Sequence, residues 1–240
     1  VTALLSLRGV KTNIGRYHIL HGVEFDVPEG GLTMLLGRNG AGKTTTLRTI
    51  MGLWRAHAGE IRFDGKDITA LATPDIARLG IAYVPESMAI FGDLTVQENL
   101  ILAARSGPFD QKRLDWIFAR FEALKRFWTL PAGHLSGGQK QMLAVARAII
   151  EPRRLLLIDE PTKGLAPAII ANMIEAFREL KDGEATLLVV EQNFFFAREL
   201  GDNVAVMDDG KVAHCGGMAA FAADTALQQH LLGLGMGEHQ

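Results

Sequence analysis

Apolar residues along this chain come in two rhythms. Short apolar runs broken by Gly22 and by Pro28-Glu29-Gly30-Gly31 fill residues 4–36, which predicts strands. The last of these runs (Leu32, Met34, Leu35, Leu36) gives way to a helix-compatible stretch through Met51. Ile61-Arg62-Phe63 ends at the turn Asp64-Gly65, and Ile81-Ala82-Tyr83-Val84 reads as a buried strand closed by Pro85. Then the period changes. Leu114, Ile117, Phe118, Phe121 and Leu124 recur at helical spacing, and 140–150 continues helically, so residues 87–150 are expected to be mostly helical with the aromatic stripe used for packing. Leu155-Leu156-Leu157-Ile158 returns to the pattern of a buried parallel strand. Beyond it the sequence predicts a helix over 168–180, a strand over 186–190, a hairpin of 204–208 with 211–214 about Asp209-Gly210, and a short helix at 224–232 before a glycine-rich tail. Strands alternating with helices indicate an α/β fold.

The junction of strand and helix near residue 37 carries chemistry. Gly37-Arg38-Asn39-Gly40-Ala41-Gly42-Lys43-Thr44-Thr45 has the spacing of a phosphate-binding P-loop in the strand-to-helix context such a loop needs. Glycines at 37, 40 and 42 let successive N–H groups and the helix start point at phosphate oxygens. Lys43 adds a positive charge, and the Thr44 hydroxyl is placed to ligate Mg²⁺. A turn that merely joined strand to helix would not require the lysine and the hydroxyl together.

Leu135-Ser136-Gly137-Gly138-Gln139 opens the helical run 140–150 and supplies a second anion site, with Ser136 and the N–H groups of Gly137 and Gly138 as donors. Alone it also reads as an ordinary helix cap. Its position before Leu155-Leu156-Leu157-Ile158-Asp159-Glu160 favours the anion reading, because the strand end delivers Asp159 towards Mg²⁺ and Glu160 towards a water in line with a γ-phosphate.

Together these residues resemble the nucleotide-binding subunit of an ATP-binding-cassette (ABC) transporter over nearly the whole chain. Gly37 to Thr44 match the family's Walker A loop, Leu135 to Gln139 its signature loop, Leu155 to Glu160 its Walker B strand, and Gly164-Leu165-Ala166-Pro167 its D-loop. The fold this implies is a RecA-like P-loop NTPase core with an antiparallel β subdomain and an inserted α-helical subdomain. The core and β subdomain would take 1–86 and 151–216, the helical subdomain with the signature loop 87–150, and a C-terminal helix and tail 217–240. The cofactors implied are ATP and Mg²⁺. Gly37, Asn39, Gly40, Ala41, Gly42, Lys43, Thr44 and Thr45 would hold phosphates, Thr44 and Asp159 the metal, and Glu160 the attacking water. Ser136, Gly137, Gly138 and Gln139 would serve the ATP of a second, head-to-tail cassette. The partners implied are that second ATPase subunit (a copy of this chain or a LivG-like relative), integral membrane permeases, and indirectly an external substrate-binding protein.

Pro85-Glu86, Ile90-Phe91, Leu94 to Leu100, the D-loop and Val190-Glu191-Gln192-Asn193 are similar to the LivF-type ATPases of branched-chain amino acid importers. Most relatives carry Gln at the Q-loop, where this chain has Glu86, and His at the switch, where it has Gln192; LivF-type chains often show both replacements. Glu86 and Gln192 therefore join Glu160 as catalytic candidates, with Glu86 also a candidate metal ligand. The groove from Glu86 to Leu94, with Phe91 and Leu94, is where a permease helix would dock. Urea and short-chain amide importers use closely similar subunits, and an exporter subunit shares every catalytic motif. The adenine-stacking aromatic of the family falls at Ile14, with Tyr17 nearest; either side chain is left as the base contact.

Composition narrows the rivals. The 240 residues carry a net charge of -2, which provides no basic field for nucleic acid. No apolar run approaches the roughly 18–20 residues of a membrane span, and no cleavable signal pattern is evident, so the expected place is the cytoplasmic face of a membrane, held by separate permeases. The lone Cys215 is expected to be a small buried residue, and the seven His lack metal-ligand spacing. Glu151-Pro152-Arg153-Arg154 reads as a solvated turn. Lys163 lies beside the D-loop, where a solvent-exposed lysine is the first reading and a functional contact the second. A soluble ABC protein of DNA repair or translation would show a long coiled-coil insertion or two cassettes, and a P-loop kinase would lack the signature loop.

Overall fold

The apolar runs are shared between two sheets in the computed structural model, which describes residues 3–104, 107–183 and 185–233. The strands are β1 (Ala3–Ile14), β2 (Tyr17–Pro28), β3 (Leu32–Gly37), β4 (Ala56–Phe63), β5 (Lys66–Asp67), β6 (Ile81–Val84), β7 (Leu155–Asp159), β8 (Thr186–Val190), β9 (Asn203–Asp208) and β10 (Lys211–Gly217). The helices are α1 (Lys43–Ile50), α2 (Thr73–Arg78), α3 (Val96–Ala103), α4 (Gln111–Arg120), α5 (Glu122–Arg126), α6 (Gly137–Ile149), α7 (Pro167–Asp182), α8 (Phe194–Leu200), α9 (Met218–Ala223) and α10 (Thr225–Leu232). One sheet is antiparallel in the order β2-β1-β4-β5; the other runs β10-β9-β3-β8-β7-β6, parallel except for the β9–β10 hairpin.

Every residue of β3, β7 and β8 is buried, and successive side chains feed opposite layers. Leu32, Met34, Leu36, Leu156, Ile158, Leu187 and Val189 join the core formed with the helices that include α6 and α7. Leu35, Leu155, Leu157, Leu188 and Val190 face the other way, into a core shared with α1 and the antiparallel sheet. A strand covered on both faces calls for a nearly continuous apolar run, which is how these three segments read apart from the buried Thr33 inside β3. The parallel order also sets the C-terminal ends of β3, β7 and β8 side by side, where loops meet and ligands bind in such sheets.

The C-terminal region holds two helices, α9 and α10, split at Asp224, whose side chain accepts from the Leu227 N–H and caps the second. The expected single helix at 224–232 is the latter. The glycine-rich tail at 234–240 lies outside the described residues. Cys215 is exposed on β10, on the open side of an edge strand, which corrects its expected burial. The stretch 151–154 is only partly solvated, with Pro152 and Arg154 exposed and Glu151 and Arg153 largely withdrawn. Arg153 and Glu151 form a nearly buried ion pair at 3.2 Å, and Arg154 reaches Asp64 at 2.5 Å and Glu29 at 3.2 Å, fastening the start of β7 to the antiparallel sheet.

Candidate functional site

At the end of β3 the backbone can turn into α1 only because of its glycines. Gly37 adopts φ +143° against β9, where a Cβ would stand 2.3 Å from the Met207 carbonyl oxygen. Gly42 adopts φ +103°, and a Cβ there would meet Leu20 at 2.9 Å. Any larger residue would force the loop off the sheet. Lys43, the first residue of α1, folds back over the loop and donates to the carbonyls of Gly37 at 2.8 Å and Arg38 at 3.1 Å. It is almost fully buried, and that burial lowers its pKa against the pull of Glu160, Asp159, Glu191 and Glu86. Arg38, Asn39 and Gly40 stay exposed, so the N–H face of the loop is open to a ligand.

The end of β7 sets two carboxylates beside this loop, and the segment beyond β6 adds a third. Asp159 is wholly buried; its Oδ1 accepts from the Thr44 hydroxyl at 3.0 Å and its Oδ2 from the Tyr83 hydroxyl at 3.2 Å. Burial raises the Asp159 pKa, and burial together with Asp159 pushes the Tyr83 phenol up to about 12, so Tyr83 stays a donor. Glu160 follows with φ +48°, a left-handed conformation costly for a residue with a Cβ. Its N–H donates to the Val190 carbonyl at 2.9 Å, and its carboxylate accepts from Gln192 Nε2 at 2.5 Å. Glu86, beyond the end of β6, pairs with Lys163 at 2.6 Å, and the same ammonium stands 3.3 Å from Glu160. Lys163 is thus solvent-exposed, as first read, and engaged in two ion pairs.

Glu191 is the residue that motif reasoning passed over. It is 2% exposed and accepts from the backbone N–H groups of Thr162 at 2.9 Å, Gln192 at 3.0 Å and Asn193 at 3.1 Å. Its carboxylate thereby ties the loop after Glu160 to the loop that carries Gln192. Burial raises its pKa while these bonds oppose the shift. The sequence offered one signal, a charged residue directly after the fully apolar β8.

Ser136 to Gln139 form a closed local unit. Ser136 Oγ accepts from the Gln139 N–H, and Gln139 Oε1 accepts from the Ser136 N–H, a capping box that starts α6. Ser136 and Gly137 are exposed, and Gly138 packs towards Ile169 of α7. Tyr17 and Ile14 pair across the tip of the β1–β2 hairpin. Tyr17 is 77% exposed and Ile14 partly buried, while the hydroxyl of Thr12, two residues earlier on β1, meets that of Thr49 on α1.

The donors suit Mg²⁺. A hydroxyl and a carboxylate converge, both hard oxygen ligands, and the described residues hold no cluster of three or more His, Cys, Asp or Glu able to cage a metal. Mg²⁺ takes one or two protein oxygens and draws the rest from phosphate and water.

The sequence profile described as ABC transporter matches residues 20–163, more than half the chain. A high-affinity branched-chain amino acid transport ATP-binding protein, BraG of Pseudomonas aeruginosa, is 37% identical over 96% of this chain and 100% of its own length. A probable branched-chain amino acid transport ATP-binding protein, LivF of Archaeoglobus fulgidus, is 39% identical over 88% of this chain and 91% of its own. Among solved structures, an ATP-binding subunit of an ABC transporter superposes with a TM-score of 0.82 at 29% identity, covering 96% of both chains. A cassette captured as a dimer in a post-hydrolysis state with ADP and Pi gives 0.79 at 25% identity over 89% of this chain and 98% of its own.

Proposed function

We propose that this chain, which belongs to the ABC transporter family, is the ATP-hydrolysing subunit that powers import of branched-chain, hydrophobic amino acids. One observation carries the site assignment: Lys43, the Thr44–Asp159 pair and the Glu160–Gln192 pair converge at the ends of adjacent parallel strands. The near full-length likeness to BraG and LivF supports the substrate class.

In this reading N–H groups of the loop between Gly37 and Thr45 and the α1 terminus bind the triphosphate, and Lys43 exchanges its two carbonyl contacts for phosphate oxygens. Thr44 and Asp159 hold Mg²⁺, which when bound neutralises charge on the phosphates. Glu160 orients and polarises the attacking water, and Gln192 holds Glu160 and donates towards the γ-phosphate. The exposed Ser136 and Gly137 serve a second cassette's nucleotide, so the working unit is a dimer. No helix among the described residues is long and apolar enough to cross a membrane. Permease subunits supply the path, with the segment at Phe91 and Leu94 as the docking face and the cytoplasmic side of the membrane as the location.

Glu160→Gln keeps shape and hydrogen bonding but removes the charge that polarises water. Hydrolysis by the assembled transporter is expected to fall by about 10²-fold or more while ATP binding persists. A wild-type rate would remove Glu160 from the catalytic role. Labelled leucine uptake by vesicles holding the co-purified permeases tests the substrate class, with urea and short-chain amides as competitors that should fail.

A further inference from the structure

The ammonium of Lys163 lies between two carboxylates that come from different parts of the chain, 2.6 Å from Glu86 Oε1 and 3.3 Å from Glu160 Oε2. Oxygens of the two acids therefore lie within about 6 Å of one another, a range in which two like charges repel. The other Glu160 oxygen is held by Gln192. The lysine is not free to wander. Its N–H closes a turn onto the Glu160 carbonyl at 3.2 Å, and the preceding N–H, of Thr162, is bound by buried Glu191. The charge balance gives this contact its weight. Glu86, Asp159, Glu160 and Glu191 all act on Lys43, so the site leans negative before any triphosphate enters.

We infer that Lys163 is a positioning residue for hydrolysis, the shared counter-charge that lets Glu86 and Glu160 stand side by side and keeps the Glu160 carboxylate aimed into the site. The inference rests on the reading of Glu160 as the catalytic carboxylate and adds a residue to it that no motif supplies. Without the ammonium, repulsion from Glu86 acts on a carboxylate whose backbone is already in a left-handed conformation, and the aim is lost. Turnover should suffer and nucleotide affinity should not. Removing Glu86's charge as well should remove the need for the cation.

The test is a double-mutant cycle in the reconstituted transporter, reading kcat and KM for ATP in wild type, Lys163→Gln, Glu86→Gln, the double variant and Lys163→Arg. Thermal melts confirm folding, and binding of a non-hydrolysable ATP analogue is measured on each chain. Lys163→Gln is expected to lower kcat by about five- to ten-fold with analogue affinity held within about three-fold. Lys163→Arg should recover most of the loss, and the double variant should turn over within about three-fold of Glu86→Gln alone. A kcat for Lys163→Gln within about two-fold of wild type, a loss seen only in analogue binding, or a double variant whose defect is the product of the two singles would each overturn the proposal. Glu160→Gln in the same preparation separates the layers. If hydrolysis survives there, the reading beneath the proposal fails and takes it along; if it collapses there while Lys163→Gln runs normally, the proposal alone fails.

Discussion

Glu191 shows what a single buried charge does here. A carboxylate has only acceptor sites, and this one meets three backbone donors, from Thr162, Gln192 and Asn193, in a setting almost free of water. Glu191→Gln keeps one oxygen but turns an NH₂ towards N–H donors. We expect a loss of about 1–3 kcal/mol in denaturant unfolding, and slower hydrolysis because Gln192 loses its anchor. The pH dependence has a definite sign. Burial lifts the folded pKa above the ordinary 4.5, so between those values the folded chain keeps a proton that the unfolded chain has released. Glu191's contribution is therefore greatest below the ordinary value and declines as pH rises through the window towards the raised folded value. Melting temperatures from about pH 4 upward should show a downward component in wild type that Glu191→Gln lacks. An equal slope in both proteins would assign the buried proton elsewhere. The sequence marked Glu191 only as a charge directly after an apolar strand and Lys163 only by its place beside the D-loop; their partners, brought by the fold from distant segments, could not be read from it.

The loop between β6 and α3 is held by its neighbours more than by itself. Met88 and Ala89 both adopt positive φ, at +63° and +49°, and Arg147 from α6 donates to the Ala89 carbonyl while its guanidinium lies 5.1 Å from the centre of the Phe91 ring. From α3, the wholly buried Asn99 accepts from the Phe91 N–H at 2.9 Å and donates to the carbonyls of Phe91 at 2.9 Å and Thr95 at 3.0 Å. A capping box between Thr95 and Glu98 fixes the start of the helix that carries it. Asn99→Ala takes its partner from the Phe91 N–H and removes the amide donors to the Phe91 and Thr95 carbonyls, which keep backbone donors, and is expected to cost about 1–3 kcal/mol. Hydrogen exchange at the Phe91 amide should accelerate well beyond the change seen across β3 or β7. Uniform acceleration would mean that Asn99 stabilises the fold at large and not this loop. The elements on either side differed in how plainly the sequence announced them. β3, β6, β7 and β8 are mostly apolar runs, with Thr33 the one polar residue inside them, and the helical spacing from Leu114 to Leu124 marks α4 and α5. Three elements lacked such a signal. The β4 strand begins in Ala56-His57-Ala58-Gly59, α2 has six residues and no full period, and α8 opens on three consecutive phenylalanines that carry no polar alternation.

For the whole molecule, the arrangement is of half-sites. The P-loop and the carboxylates gather at the C-terminal ends of the parallel strands, while Ser136 and Gly137 are exposed at a cap whose side-chain bonds run between Ser136 and Gln139. An isolated chain lacks the donors a second cassette would bring, so its specific ATPase activity should rise more than linearly with concentration until dimers saturate. The pair need not be equal. Glu86 and Gln192 replace the amide and imidazole usual at these positions, and each replacement argues for slower chemistry at this chain's own site. The Lys163 contact changes that argument by half, because Glu86's negative charge already has a partner and adds less repulsion against a phosphate. What remains is Gln192. Its amide is bound to Glu160 and cannot become cationic, so it offers less compensation than an imidazolium as negative charge develops. We therefore expect this chain's site to be the weaker of two when the partner cassette carries a histidine there. Lys43→Ala in this chain should leave a larger share of hydrolysis and uptake than the matching P-loop substitution in the partner, both measured in the reconstituted transporter. Gln192→His should narrow the difference. Equal losses from the two lysine substitutions, or a greater loss from the one in this chain, would show that the site runs at full speed with an amide at the switch.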